Sequence, residues 1–178
     1  MSFRVVSLVL ALLLSVMDAH AQKVSESADA RALVDAMHLS EHVRAGLEAG
    51  VRKAIEQGRS TQKELECTRG ANLSFATDAY ATAIAAALSP YEIKQAIAFF
   101  TTPEGGAYLK YSFGLELHQR GIRDQPRYEL TAVEEREVLK FIDKSAGKKL
   151  LQDRVHETPE LRASLIRGVS ALVAQCRS

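Results

Sequence analysis

The sequence has almost no net charge: 23 Lys and Arg stand against 22 Asp and Glu, a formal +1 over 178 residues. No long-range field therefore gathers a polyanion, and no basic run or basic–aromatic interleaving marks a nucleic-acid surface. After residue 21 no stretch is apolar over the roughly 20 residues that a bilayer crossing takes. The chain has two cysteines, Cys67 and Cys176, and no C-x-x-C, which argues against a redox-active thiol pair. Strand signals are missing as well. β-branched residues are few and period-two alternation is absent, which leaves helix. There is no G-x-S-x-G elbow, no phosphate-binding glycine loop and no pair of catalytic carboxylates. No cofactor is expected, and the chain reads as a non-enzyme more readily than as an enzyme.

What the chain does have is an internal repeat, the signal that most constrains a fold. Leu88 to Tyr111, LSPYEIKQAIAFFTTPEGGAYLKY, returns without a gap 42 positions later as Leu130 to Asp153, LTAVEEREVLKFIDKSAGKKLLQD. Leu88 matches Leu130, Ser89 Thr131, Glu92 Glu134, Lys94 Arg136, Phe99 Phe141 and Gly105 Gly147. Ser89 with Glu92, and Thr131 with Glu134, have capping-box spacing: the hydroxyl accepts from the amide three residues on and the carboxylate reaches back. Pro90 falls at the first helical position, where its missing N–H costs nothing. Ile93, Ala96, Ile97 and Phe100 form an apolar stripe, as do Glu135, Val138, Leu139 and Ile142 with one polar exception. Phe99 and Phe141 widen the two stripes. Second helices start at Thr102-Pro103-Glu104 and at Ser145-Ala146, and a glycine one turn into each predicts close approach of the hairpin arms. The repeat thus describes two capped helical hairpins, over 88–121 and 130–156.

The pattern Leu-Ser/Thr-x-x-Glu followed by Phe-Phe-Thr-Thr-Pro-Glu-Gly resembles the domain-of-unknown-function family 2059, small exported all-α bacterial proteins. The resemblance is best over Leu73 to Gly121. The second copy departs from it, with Ile142 for the second aromatic and Ser145 for the proline. It implies an exported helical protein, and it supplies no catalytic residues because the family has no assigned activity.

Met1 to Ala21 reads as a signal peptide. Arg4 gives the positive start, Val5 to Val16 the apolar run and Ala19-His20-Ala21 the cleavage pattern. The mature chain then begins at Gln22 in the periplasm or outside the cell, with no nearby cysteine to carry a lipid. Residues 22–178 suit one helical domain. In that oxidising setting Cys67 and Cys176 are expected to pair. The bridge would close a loop of over a hundred residues, worth about 4.7 kcal/mol in the chain-entropy account.

The remaining punctuation is also helical. Ser27 is placed to cap a first helix with Ala30, Leu33, Val34 and Met37 on one face. Ser40 is placed to cap a second, with Val43, Leu47, Val51, Ala54 and Ile55 inward and Gly58 as its stop. Ser60-Thr61 with Glu64 starts a third, and Gly70 and Asn72 interrupt the helical period between 65 and 88. Arg120-Gly121-Ile122 has the form of a glycine cap, and Arg123 to Glu129, with Pro126, that of a linker. Thr158-Pro159-Glu160 opens a last helix with Leu161, Leu165, Ile166, Val169, Leu172, Val173 and Cys176 along one side. The expectation is an all-α compact bundle of roughly six to eight antiparallel helices with short loops.

Three groups of residues are candidates for function. His38-Leu39-Ser40-Glu41-His42 matches the inverted zinc-protease string H-x-x-E-H, with His38 and His42 as ligands and Glu41 as base. A cap at Ser40 would break the helix that string requires, and no third ligand is evident, so no metal is expected. His118 and His156 stand near helix ends, where a cation meets the favourable end of the dipole. The run Glu134-Glu135-Arg136-Glu137 and the pair Lys148-Lys149 read as solvated faces. Tyr108, Tyr111 and Phe113 form the densest aromatic patch, a candidate ligand groove or partner surface if not simply core. The first functional reading is a non-enzymatic interaction module for an envelope protein partner, or for a second copy of the chain. The next is a carrier of a small apolar ligand between helices, and the remotest is a zinc hydrolase.

Overall fold

The computed structural model describes residues 28–119 and 128–177. The expected signal peptide, the expected caps at Ser27 and at Arg120-Gly121-Ile122, and the expected linker around Pro126 lie outside the described residues. Within them the chain is all-α, with nine α-helices and no strand. These are α1 (28–36), α2 (Leu39–Glu56), α3 (Gln62–Gly70), α4 (Ser74–Ala87), α5 (Pro90–Phe100), α6 (Pro103–Gln119), α7 (Ala132–Ile142), α8 (Ser145–Gly147) and α9 (Pro159–Arg177). A π-helical turn, Lys148–Gln152, continues α8, and a 3₁₀ turn, Val155–Glu157, precedes α9.

Local sequence sets most of the boundaries. Capping boxes open α3, α5 and α7 at Thr61–Glu64, Ser89–Glu92 and Thr131–Glu134. Prolines stand first in α5, α6 and α9, and the hydroxyls of Thr102 and Thr158 accept from the amides of Gly105 and Leu161 at 3.1 and 3.2 Å. Helix α2 ends in a Schellman arrangement: Gly58 (φ 67°) donates to Ile55 O, and Arg59 donates back to Ala54 O. The α3–α4 break falls after Gly70, where Asn72 Oδ1 accepts from the Ser74 amide at 2.8 Å. Ser40 does not cap α2. The chain turns at His38, with φ 53°, and the helix starts at Leu39. Leu39 is buried in the core, and the Ser40 hydroxyl is used across the helix interface in a 2.9 Å hydrogen bond with Thr77.

The main core joins Leu33 and Val34 of α1, and Met37 just after it, to Ile84 of α4, Ile93, Ala96 and Phe100 of α5, Phe141 of α7 and Leu150. A satellite core lies between α2, α3 and α9, with Leu47, Val51 and Leu65 buried and Val169, Leu172 and Val173 packed against them. The disulfide Cys67–Cys176 (Cα–Cα 5.7 Å) joins α3 to the end of α9 beside this cluster.

The repeat folds as two hairpins that embrace. Helix α5 packs on α6 and α7 on α8, while α6 also packs on α7 and α5 on α8. Matched residues meet at the centre, where the Phe99 and Phe141 rings stack 4.0 Å apart at 8°. Gly105 and Gly147 make the close approaches expected of them. A Cβ there would stand 2.2 and 1.9 Å from the carbonyl oxygens of Phe99 and Phe141. The second copy is the more peripheral. In α7 the buried residues are Val138 and Phe141, whereas Leu139 is 55% exposed and Glu135 is exposed, so the expected stripe is rotated towards Phe141. Ile166 likewise turns outward from α9.

One polar contact locks the hairpins together. Glu92, 8% exposed, accepts from the Ser145 hydroxyl and from Lys149 Nζ at 2.8 Å, and Lys149 also donates to Ala87 O at 3.1 Å. Lys149 is therefore not part of a solvated face. It is drawn in by a carboxylate already buried through its capping role. Lys149 first, then Ser145 and the Ser89 amide, hold the Glu92 carboxyl down at about 2.

Candidate functional site

Helix α4, SFATDAYATAIAAA, is rich in alanine, the best helix former. One face gives Ala76, Ala81 and Ile84 to the interior. Another carries Phe75, Ala79, Ala83 and Ala86 towards the start of α9. Alanine side chains are too short to fill the space there, and a groove of about 650 Å³ remains. Ala87 continues its α4 wall, and Val155 of the 3₁₀ turn and Leu161 of α9 form the opposite one. Asp78, Thr82, Thr158, Glu160 and Ser164 supply the polar groups. Farther along α9 the helices close up, because the Phe75 ring occupies the place a Cβ on Gly168 would need.

A second hollow, of about 510 Å³, lies at the amino end of α4. It is lined by Arg31 of α1, Ser40 and Arg44 of α2, Asn72 and Leu73 just before α4, and Ser74, Thr77 and Asp78 of α4. Arg44 is anchored on carbonyls at the carboxyl end of α3, Arg69 O at 2.6 Å and, just past the helix, Ala71 O at 3.1 Å. Arg31 pairs with Asp78 at 2.7 Å, with both side chains more than half exposed. Asp78 lines both hollows.

The residues singled out by sequence lie elsewhere and do not form one site. Tyr108 packs against the main core, and burial pushes its hydroxyl above the usual tyrosine range despite a hydrogen bond with Ser112. Tyr111 is half-buried on the same helix. Phe113 parts from them and stacks on His42, with centroids 4.3 Å apart and an interplanar angle of 11°. Burial, outweighing Glu116 and Glu41, holds His42 below its ordinary value. His38 sits at the α2 cap, 3.5 Å from Glu41 and exposed. The H-x-x-E-H string is thus divided, with one imidazole in solvent and the other against an aromatic ring. Among the described residues no three His, Cys, Asp or Glu side chains are grouped to hold a metal.

His118 is exposed in the last turn of α6. His156 is mostly enclosed, with Nε2 3.4 Å from Glu157 Oε1 and Nδ1 buried without a partner. Beside it Glu157 is held down at about 2, by His156 first and then by Arg154.

Sequence reasoning missed both hollows. The available signal was α4 itself, apolar on two faces yet with no bulky side chain at positions 79, 83 or 86. Comparison with family models, curated proteins and solved structures finds no match for the chain.

Proposed function

We propose that the chain is a non-enzymatic binding module of the bacterial cell envelope, exported by its Met1–Ala21 leader, and that it works through the groove between α4 and α9. The observation that carries this reading is the groove, walled by Phe75, alanines, Val155 and Leu161. Its lining is mostly apolar, with the carboxylates of Asp78 and Glu160 and the hydroxyls of Thr82, Thr158 and Ser164 as its polar groups, a set that suits holding a ligand. The disulfide agrees with an oxidising compartment, and no described helix is long and apolar enough to cross a membrane. The resemblance to the domain-of-unknown-function family 2059 over Leu73 to Gly121, which spans α4, α5 and α6, supports export. The groove takes over from Tyr108 and Tyr111 as the contact surface, since Tyr108 is packed on the core.

The groove volume lies in the range of small-molecule sites, about 300–1,000 Å³, which favours the carrier reading over a flat protein contact. A photo-crosslinking residue at Ala86, compared with one at Lys140 on α7, tests the placement in the native envelope. Adducts at position 86 that are absent at 140, and that vanish when Ala83 is enlarged to Phe, are the expected result. Equal labelling at both positions would remove the groove from the account.

A further inference from the structure

We infer that the groove takes a single-chain amphiphile with an anionic headgroup, its chain along α4 and its head in the hollow at Arg31 and Arg44. This inference rests on the groove being the binding site and names the ligand class. The groove follows α4 from Phe75 to Ala87, twelve residues apart, or about 18 Å of helix. That is long for a compact apolar ligand and suits an extended alkyl chain. The hollow at the α4 amino end adjoins it, with Asp78 lining both.

The chemistry changes between the two hollows. The groove is mostly apolar, whereas the hollow presents two guanidiniums, Arg31 and Arg44, with the hydroxyls of Ser40, Ser74 and Thr77. Two cations meet a single carboxylate there, so the local balance is positive. Arg44 is held on two carbonyls at the end of α3 and just beyond it, and the guanidinium has five donors, so its remaining N–H groups are held in a fixed position. Among the described residues Arg31 is paired with the exposed Asp78, and exposed pairs are weak enough to exchange for another anion. The amino end of α4, where Asn72 Oδ1 accepts from the Ser74 amide, also lines the hollow and adds the positive end of its dipole. A cationic head would meet Asp78 and Glu160 instead, and it is the competing outcome.

Titration calorimetry on the disulfide-intact mature chain, below the micelle concentration, separates these cases. The probes are decanoate, decyl glucoside, decyltrimethylammonium and inorganic phosphate. Decanoate should bind at least about tenfold tighter than decyl glucoside, since charged hydrogen bonds are the stronger ones. Octanoate should bind about fourfold more weakly for each methylene lost, and phosphate alone should not bind measurably. Arg31→Gln should bring decanoate towards the glucoside and leave the glucoside unchanged, while Ala86→Phe should weaken every alkyl probe. Preference for the ammonium, or equal binding of decanoate and glucoside, would overturn the anionic head. So would failure of all alkyl probes to bind protein of unchanged melting temperature. If the Ala86 crosslinks described above persist in that last case, the binding module stands and only the amphiphile falls.

Discussion

A carboxylate removed from water needs its hydration replaced by donors, and Glu92 has three: the Ser89 amide, the Ser145 hydroxyl and Lys149 Nζ. The first is the ordinary reward of a capping box. The other two come from the second hairpin, so one side chain both starts α5 and ties the repeats together. Its carboxyl is depressed from the usual value near 4.5 to about 2. A depressed folded value means that the charged form stabilises the fold above the unfolded value, and that this contribution is lost as pH falls through the folded one. Glu92→Gln should therefore cost about 1–3 kcal/mol at neutral pH. The difference from wild type in urea denaturation should shrink steadily between about pH 4.5 and 2. Glu157 titrates in the same acid range, and subtracting the mutant curve isolates Glu92 from it. A mutant–wild-type difference that stays level down to pH 2 would show that Glu92 is not stabilised by its charge.

At the scale of elements, the hairpins depend on two residues with no side chain. The atoms facing Gly105 and Gly147 are backbone carbonyls of the preceding helix, which cannot rotate aside as a side chain would. Gly105→Ala and Gly147→Ala should each cost at least about 1–3 kcal/mol by overpacking. Gly106→Ala meets nothing within 4 Å and should gain up to about 1 kcal/mol from helix propensity. Thermal melts of the three variants test the contrast, and a Gly147→Ala protein as stable as Gly106→Ala would refute the close approach. These glycines, the capping boxes and the proline starts were legible in sequence because each acts through backbone within a few residues of itself. The phases of α7 and α9 were less so. Leu139 and Ile166 are apolar, and their exposure follows from where neighbouring helices lie, which spacing does not encode. Lys149 was misread for the same reason, since its partner belongs to the other hairpin. The groove was hidden because it is missing volume, made by small α4 side chains opposite a helix that begins more than seventy residues later.

The whole molecule has an uneven distribution of support, and α9 marks its weaker side. Leu161 near its start and Cys176 near its end are buried, but the residues between them are half-buried or exposed. Its middle rests on the satellite core rather than on the main one. The ion pair of Arg177 with Glu64, 3.4 Å, stands near the disulfide and adds little alone, being largely exposed on the arginine side. The Cys67–Cys176 bridge spans 109 residues, so it removes a large share of the freedom of the unfolded chain, and native bridges of this kind are worth about 2–5 kcal/mol. Its loss should also be felt locally. In a protein with both Cys67→Ala and Cys176→Ala, hydrogen exchange should rise first in α9 and in the α2–α3 pair. Helices α5 to α8, closed by the Phe99–Phe141 stack and the Glu92–Lys149 contact, should keep their protection. Because α9 forms one wall of the groove, alkyl binding should weaken in step with α9 protection while the repeat core stays folded. Exchange that rises equally in α7 and α9 would mean that the two cores open as one unit, and would leave the disulfide no special hold on the groove.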